Sequence, residues 1–368
     1  MNSSILTAPH IIDLAAVHRQ CAADTMQVLP VINLTDIPYI HFKQEPAGTP
    51  GATKGPQIYE PPDELGEPGG LRTIPVKKDD IYQTVISPNF PHIHLAQTAG
   101  RKGEQEDAYT VLSVPKILSE RDAVTHVGEI FAQMQKTFAE KYSTTSACTA
   151  CIVVLSPDGT ITVGNAGDSR SFLLSQNSSD SALNYERLNL IHRSTADPTK
   201  PSRRFGECEE GWQPDILQIS MQNIPPTGQR MLILATDGLF ETGTITKDLH
   251  ENYYARLWQT WQQQKDILLK REPDSIQWQM YAKNPAKLFT DAAFNYSSSN
   301  YDNITALVVN LNTPSKDQTL VLGLFDGSNS IQIGNDLAQA LFNYLNQNVA
   351  ASKVLATSNN PSIGMQKT

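Results

Sequence analysis

The chain has 368 residues, of which 39% are hydrophobic and 18% are charged, and its net charge is −9. These values are typical of a globular protein with one large domain or two smaller ones. The acidic balance, without a stripe rich in Lys and Arg, argues against a nucleic-acid partner. No run reaches the ~18 apolar residues that cross a bilayer, and the start, MNSSILTAPHIIDLAAVHRQ, lacks the basic and long apolar regions of a secretory signal. We therefore expect a cytoplasmic protein without membrane contact, and secretion without a cleaved signal peptide stays open.

Residues 1–75 are predicted to form an N-terminal extension. A weak helical pattern covers 11–28, and a short β-like run follows at 31–34. Residues 44–70, QEPAGTPGATKGPQIYEPPDELGEPGG, are dense in Pro and Gly, which predicts a linker or a long surface loop.

Residues 76–350 are predicted to form one domain, followed by a flexible tail at 351–368. Apolar and alternating runs predict strands at 80–86, 92–97, 108–114, 231–235, 304–311 and 320–325. Apolar faces with helical spacing predict helices at 123–142, 285–294 and 334–349, and an aromatic-rich helical insertion at about 250–282. Strands and helices in this clustered order favour antiparallel sheets with helices packed outside, an α+β architecture.

The clearest hairpin of the chain is CIVVLSPDGTITVGNAGDSRSFLL, in which Pro157-Asp158-Gly159 joins two β runs. Cys148 and Cys151 form a CxxC at its start, but no second CxxC or His pair follows to complete a zinc site. We interpret these cysteines as buried thiols of a strand.

Four acidic motifs stand near the ends of predicted strands: Glu106-Asp107 in GEQEDAYTVL, Asp237 in LILATDGLFE, Asp302 in NYDNITALVV and Asp326 in LVLGLFDGSN. Carboxylates at strand ends can converge on one place, where several anions need a multivalent cation. An all-oxygen set of ligands suits Mg²⁺ or Mn²⁺. Taken alone, each acid could be a turn residue or a cap, but the convergence of the four motifs favours metal ligation.

Taken together, the motifs resemble those of the metal-dependent (type 2C) Ser/Thr protein phosphatases. GNAGDSRSFLL resembles the family's Gly-Asp-Ser-Arg strand end, LILATDGLFE its Ser-Asp-Gly element, SSSNYDNITALVV its terminal Asp-Asn strand and EQEDAYTVL its early Glu-Asp pair. SACTACIVVL is similar to the small-residue start of its central hairpin, and the resemblance covers roughly residues 90–345. It implies two stacked antiparallel β-sheets flanked by helices. It also implies hydrolysis of phosphoserine or phosphothreonine in a phosphoprotein substrate, with a water bridged between two metal ions.

One element of the family stands elsewhere in this chain. The family's strand ending in Asp-Gly-His-Gly-Gly, with the helix after it, follows soon after the Glu-Asp strand. Here a similar unit, TLVLGLFDGSNSIQIGNDLAQALFNYLNQ, lies near the carboxyl end instead. We infer an internal circular permutation, because a strand can fill its slot whichever way the chain enters it.

On that alignment the resemblance implies a set of metal ligands around a catalytic centre. Asp326 would bridge two ions, Mn²⁺ or Mg²⁺, with the carbonyl group of Gly327 as a further ligand. Asp237 and Asp302 would hold one ion, and Glu106 would hold the other.

Five further residues complete the assignment. Asp107 would act through a coordinated water, and Asp168 resembles a weaker third-metal ligand, for which a cap or turn role is equally open. The family's phosphate-binding Arg falls on Lys102, and a one-residue bulge would bring Arg101 there. Arg binds phosphate through two hydrogen bonds where Lys is a point charge, and a solvated surface pair stays open for both. The family's proton-donating His is replaced by Ser328, a poor acid at neutral pH.

Two segments have alternative interpretations. Arg203 and Arg204 either meet a phosphorylated substrate or belong to a solvated loop. The tryptophans of the insertion at 250–282 either form a docking surface for a protein partner or, as we favour, pack on the core: Trp258, Trp261 and Trp278.

Three hypotheses for the function follow. The first is an active phosphatase, since every acidic ligand type is retained. The second is a catalytically weak or inactive scaffold that binds a protein partner, since the His is missing. The third is an enzyme whose residues 1–75 cover the site. His126 or His192 could substitute for the missing His as proton donor, but we favour structural roles for both.

Overall fold

The computed structural model describes residues 10–11, 83–86, 92–100, 104–115, 120–143, 146–176, 183–195, 200–207, 214–221, 228–240, 251–296, 302–312, 318–328, 330–348 and 355–358. The predictions for 12–28, 31–34 and 44–70, and for Arg101 and Lys102, lie outside these residues.

The described strands form two sheets, numbered here in chain order. The first sheet has the order β1-β9-β6-β5-β12-β4-β13, with the bounds β1 His10–Ile11, β4 Asp107–Pro115, β5 Cys148–Leu155, β6 Thr160–Ala166, β9 Asp215–Ser220, β12 Gln318–Gly327 and β13 Leu355–Ser358. The second has the order β2-β3-β11-β10-β7-β8, with the bounds β2 Gln83–Ile86, β3 Ile93–Thr98, β7 Arg170–Ser175, β8 Asn184–Arg187, β10 Arg230–Ala235 and β11 Ile304–Asn310. All described pairs of neighbouring strands are antiparallel, except the parallel pair of β1 and β9.

The two sheets stack face to face around an apolar layer. Successive side chains of a strand point to opposite faces, so that in β4 Tyr109 and Val111 face this layer while Ala108 and Leu112 face outward. Strands from both sheets contribute to the layer, which contains Leu95, Val153, Leu232, Leu307 and Leu322 among others. The predicted fold class, two stacked antiparallel sheets flanked by helices, is confirmed.

Helices cover both outer faces. The helices have the bounds α1 Glu120–Lys141, α2 Glu251–Arg271, α3 Ile276–Lys283, α4 Pro285–Tyr296 and α5 Ile331–Asn348. Helices α1 and α5 pack on the first sheet, and α2, α3 and α4 pack on the second. None of the helices in the described part of the chain is both long and apolar enough to cross a membrane.

Two sequence expectations need correction, and one segment of the expected tail has a strand partner. The segment beginning at Cys148 contains three strands instead of two. The backbone turns at Gly167, which has a φ of 103°, and β7 then joins the other sheet. Ile11, placed at the start of a helical pattern, lies in β1. Within the expected tail at 351–368, Leu355–Ser358 pair with β4 as an edge strand. The domain boundaries otherwise stay a prediction.

The late strand β12 lies in the interior of the first sheet. It pairs with β4 on one side and with β5 on the other, although β4 and β5 come much earlier in the chain. A central strand of apolar residues is held by hydrogen bonds along both edges, so its end is placed firmly beside the ends of its neighbours.

Candidate metal centre

The end of β12 carries Asp326 to the end of β4. Asp326 lies opposite Asp107 in the β4 pairing and opposite Thr149 in the β5 pairing, and Gly327 lies opposite Cys148. Asp107 is fully buried, whereas Asp326 is half-buried. Burial, and then the charges of Asp326 and Asp107, raise the pKa of the Cys148 thiol well above its ordinary value. Both carboxylates therefore lie near this thiol.

Hydrogen bonds tie Asp107 to the second sheet. Its Oδ2 accepts a hydrogen bond of 2.6 Å from the hydroxyl of Thr305 and another of 3.0 Å from the hydroxyl of Thr236. Thr236 immediately precedes Asp237, and Thr305 follows Asp302 by three positions. The strand ends that carry Asp237 and Asp302 thus meet the end of β4.

Asn303 links the Asp302 segment to Glu106. Its Oδ1 accepts a hydrogen bond of 2.9 Å from the backbone N–H of Glu106. Its Nδ2 donates to the carbonyl oxygens of Ala99 at 2.9 Å and Glu104 at 2.7 Å. One buried amide therefore fixes both ends of the connection between β3 and β4, which includes the undescribed Arg101 and Lys102.

Asp237 begins a single 3₁₀ turn, Asp237–Leu239, which Thr236 separates from the end of β10. A Cβ at Gly238 would overlap with the carbonyl oxygen of Asn303 and would lie 3.4 Å from the Cβ of Asp302. Only glycine allows this approach, so the turn of Asp237 and the segment of Asp302 are in backbone contact.

Asp168 lies at the same edge, one strand further along. It follows Gly167, where a Cβ would lie 2.6 Å from the Cβ of Thr149, the partner of Asp326 in β5. Its Oδ2 is 4.0 Å from Nε of Arg193. Asp168 is buried, and its place in the tight turn between β6 and β7 fits the alternative turn role as well as ligation.

The acidic residues therefore lie along one side of the sandwich, where these strands begin or end, and we call this side the shared edge. Their side chains do not meet at one point. In the part of the chain that the structure describes, no three His, Cys, Asp or Glu side chains lie close enough together to hold a metal ion. Glu106, Asp302 and Asp326 are half-buried at this edge, so rotation about their side-chain torsions would be needed to surround an ion.

The residue types at this edge suit a hard divalent cation. Carboxylates and backbone carbonyl groups are the ligands that Mg²⁺ and Mn²⁺ prefer, and no thiol or imidazole is among the predicted ligands. At Gly327 a Cβ would lie 3.1 Å from the carbonyl oxygen of Glu106. Two backbone segments of the predicted site therefore approach closely where a glycine stands.

Helix α2 supports the turn of Asp237 from behind, a role that the sequence did not reveal. The hydroxyl of Tyr254 donates a hydrogen bond to the carbonyl oxygen of Leu239. The guanidinium of Arg170 lies 4.0 Å from the ring centroid of Phe240 and pairs with Glu251 at 3.3 Å. These contacts connect the first turn of α2 to the residues directly after Asp237.

The tryptophans of the helical insertion pack inside the protein. They are at most 8% exposed and belong to the apolar cluster between the second sheet and its helices: Trp258, Trp261 and Trp278. The favoured core-packing interpretation is confirmed, and these three residues do not form a docking surface.

The thiols and one of the histidines also have structural surroundings. Cys148 and Cys151 are buried and unbridged in β5, which confirms the interpretation as buried thiols of a strand, and burial raises the pKa of Cys151 to about 12. The Nε2 of His192 lies 2.6 Å from Oδ2 of Asp215, and its Nδ1 accepts the N–H of Gly167 at 3.3 Å. His192 therefore holds the loop before Asp168, as a structural residue would.

Three other polar residues singled out in the sequence are held by partners outside the predicted ligand set. His126 lies 2.7 Å from the hydroxyl of Tyr344 on the helical face of the first sheet. Arg203 pairs with Asp215 at 3.0 Å. Arg204 pairs with Glu207 at 2.6 Å, and its charge lowers the pKa of the nearby Cys148 thiol against the larger effect of burial.

No protein-family model matches the sequence, and no curated protein matches it. Among solved structures, the chain is similar to a bacterial serine phosphatase at 14% identity, over 61% of this chain and 98% of that chain, with a TM-score of 0.40. It is also similar to serine-threonine phosphatase 2C from Toxoplasma gondii at 14% identity, over 62% and 93% of the two chains, with a TM-score of 0.32. A PPM Ser-Thr phosphatase from Mycobacterium smegmatis, in complex with cacodylate, matches at 12% identity over 64% and 94%, with a TM-score of 0.29. Similarity at this level assigns neither a family nor an activity to this chain.

Proposed function

We propose that this protein is a metal-dependent phosphatase that hydrolyses phosphoserine and phosphothreonine in phosphoprotein substrates. The observation that carries the proposal is the shared edge: Asp326 opposite Asp107, with Asp107 bonded to the strand ends of Asp237 and Asp302. Four acidic segments far apart in the sequence gather there. Such a concentration of negative charge favours a bound multivalent cation.

The proposed ligands for Mn²⁺ or Mg²⁺ are the carboxylates and one carbonyl group of this edge: Glu106, Asp237, Asp302, Asp326 and the carbonyl of Gly327, with Asp107 through water and Asp168 at a weaker third position. When bound, the ions would activate a water for attack and would neutralise the phosphate oxygens. Asp326 and Asp237 are the proposed centre of the reaction.

The chain's own residues would orient the site and hold the substrate. Asp107 is fixed between the sheets by two hydroxyl groups, and the Asp237 turn is fixed by Tyr254. Arg101 or Lys102 is proposed to bind the phosphate, at the connection whose two ends Asn303 holds.

Ser328 sets the expected substrate preference. Its backbone N–H donates to the carbonyl oxygen of Ala147 at 2.9 Å, and its hydroxyl is too weak an acid to protonate a leaving oxygen at neutral pH. Aryl leaving groups need no proton, whereas alkyl leaving groups do. We therefore expect the ratio of aryl to alkyl phosphate hydrolysis rates to be larger here than in an enzyme with a general acid at this position. General acids typically contribute about 10²–10⁴-fold.

The test is hydrolysis of p-nitrophenyl phosphate by the full chain with Mn²⁺, Mg²⁺ or chelator. We expect metal-dependent turnover that is lost in Asp326→Asn and in Asp237→Asn. The control is Asp158→Asn, which changes an exposed carboxylate in the turn between β5 and β6. A folded wild-type protein without turnover in either metal would refute the proposal.

The alternative is a catalytically weak or inactive scaffold that binds a protein partner. It is favoured by Ser328 and by the lack of a gathered group of three acidic side chains among the described residues. Calorimetric titration with Mn²⁺ separates the two functions. The phosphatase should bind two divalent cations, whereas a scaffold needs none.

A further inference from the structure

Two threonine hydroxyl groups meet one oxygen atom of Asp107 between the sheets. Thr305 donates to Oδ2 at 2.6 Å and Thr236 donates to the same atom at 3.0 Å. All three residues have no exposed surface. A buried carboxylate is costly unless hydrogen bonds satisfy it, so these two donors are part of what allows Asp107 to lie there.

The direction of both hydrogen bonds follows from the neighbouring donors. The oxygen of Thr236 accepts the backbone N–H of Thr305 at 3.1 Å, and the oxygen of Thr305 accepts Nε2 of Gln97 at 3.1 Å. An N–H group can only donate, and a hydroxyl group has a single proton. The proton of each threonine is therefore directed to Asp107.

The orientation of the Gln97 amide follows from the same residue. Its Nε2 also lies 2.9 Å from the main-chain oxygen of Asp107, which can only accept, so the atom there must be the NH₂ group. Its second proton is then available for Thr305. One buried network, formed by residues of β3 and β11 and by Thr236 after β10, thus holds both the main chain and the side chain of Asp107.

We propose that Thr236 and Thr305 are positioning residues that hold the Asp107 carboxylate in the orientation in which it serves a divalent cation at the strand ends. The inference rests on the proposed function. Two donors on one oxygen fix the rotation of the carboxylate, and each donor belongs to a segment that carries another proposed ligand. Thr236 precedes Asp237, and Thr305 lies on the strand after Asp302. Asp107 is therefore oriented relative to both of those carboxylates.

The experiment compares valine, which keeps the shape of threonine without its hydroxyl, with serine, which keeps the hydroxyl. The variants are Thr305→Val, Thr236→Val, Thr305→Ser and Thr236→Ser. The matched control is Thr162→Val, a fully buried strand threonine of the first sheet that accepts a hydrogen bond from Gln218. Mn²⁺ affinity is measured by calorimetry, thermal stability in chelator, and the orientation of Asp107 in crystals of the metal-free proteins.

We expect each valine variant to bind Mn²⁺ about 10- to 100-fold more weakly, as is typical when a group that orients a metal ligand is lost. The serine variants should bind close to the wild-type affinity. Thr162→Val should lower the melting temperature without changing the affinity. If the hydroxyl groups only tie the sheets together, the valine variants will behave like Thr162→Val, and the proposal is overturned.

The two proposals can fail separately. If the wild type binds no Mn²⁺, the proposed function fails, and the metal-free crystals decide the positioning role. Asp107 turned away in the valine variants but not in the serine variants supports that role, and Asp107 unmoved in all of them overturns it. If a valine variant does not fold, the comparison rests on the other single valine variant and its serine counterpart.

Discussion

Asp326 lies directly opposite Asp107 in the antiparallel pair of β12 and β4. The two residues are far apart in the sequence, yet the pairing of β12 with β4 inside the first sheet places their Cα atoms side by side where these strands end. Two carboxylates in adjacent strands repel each other unless a cation or a hydrogen bond compensates. For Asp107 the compensation includes two hydroxyl groups, and for Asp326 we propose a metal ion.

Gly238→Ala should impair the site. The new Cβ would overlap with the carbonyl oxygen of Asn303, a backbone atom, so the turn of Asp237 or the segment of Asp302 must shift. We expect a loss of stability of about 1–3 kcal/mol, typical of overpacking, and a large loss of Mn²⁺ affinity. Urea unfolding and calorimetry measure the two effects. Wild-type affinity in this variant would show that the approach of these two segments does not matter for binding.

Tyr254→Phe should weaken metal binding from a distance. It removes the hydroxyl that donates to the carbonyl oxygen of Leu239 and so frees the turn that begins at Asp237. The expected loss of unfolding free energy is about 0.5–1.5 kcal/mol, together with reduced Mn²⁺ affinity.

Tyr281→Phe is the control for that change, since its buried hydroxyl donates to Asp291 at 2.8 Å on the same helical layer. It should lower stability without changing the affinity. Equal affinities in both variants would mean that α2 is not a support of the Asp237 turn.

Glu251→Ala should be strongly destabilising. Glu251 is fully buried and receives two hydrogen bonds of 2.8 Å from Arg187, while Arg170 lies 3.3 Å away. Its removal leaves two buried guanidinium groups without their carboxylate, which typically costs about 3–5 kcal/mol. Urea unfolding should show this loss, whereas Glu140→Ala, in the exposed Lys136–Glu140 pair, should change little. A small effect at Glu251 would contradict the buried network.

Asp215 should contribute stability that disappears in acid. Burial alone would raise its pKa, but the hydrogen bonds from His192 and Arg203 outweigh burial and hold the pKa below 3.8, its ordinary value. A carboxyl group with a lowered pKa stabilises the folded state above its unfolded pKa and loses this contribution as the pH falls through its folded pKa.

The check is urea unfolding of the wild type and Asp215→Asn from about pH 5.5 to about pH 2.5. The difference in unfolding free energy should be largest near the upper end and should shrink below pH 3.8, the ordinary value for this group. A difference that stays constant across this range would show that the charge of Asp215 does not stabilise the fold.

Long apolar strands could be predicted from the sequence, and short polar ones could not. The run of β12 and the run of β10 contain enough consecutive apolar residues to signal burial on both faces. The strands β8, NYER, and β13, LATS, are short and carry no alternation, and each depends on a neighbouring edge. Their pairing is a tertiary effect that local sequence does not encode.

That the acidic residues lie at strand ends could also be predicted, because each stands at one end of an apolar run, and their role as metal ligands stays a prediction. The residues that hold them could not be predicted. Thr236, Thr305 and Gln97 are ordinary strand residues by type, and only the stacking of the two sheets brings them to Asp107. The role of Tyr254 likewise depends on where α2 packs, which its helical pattern does not specify.

The most direct measurement is the anomalous diffraction of manganese in crystals of the full chain soaked with Mn²⁺. We expect two strong peaks at the shared edge, with carboxylate oxygens of Asp326 coordinating both ions and those of Asp237 and Asp302 coordinating one. The same soak of Asp326→Asn should lose or weaken both peaks. Peaks elsewhere on the protein, or no peak while Asp326 points to solvent, would contradict the proposed metal centre and with it the proposed phosphatase activity.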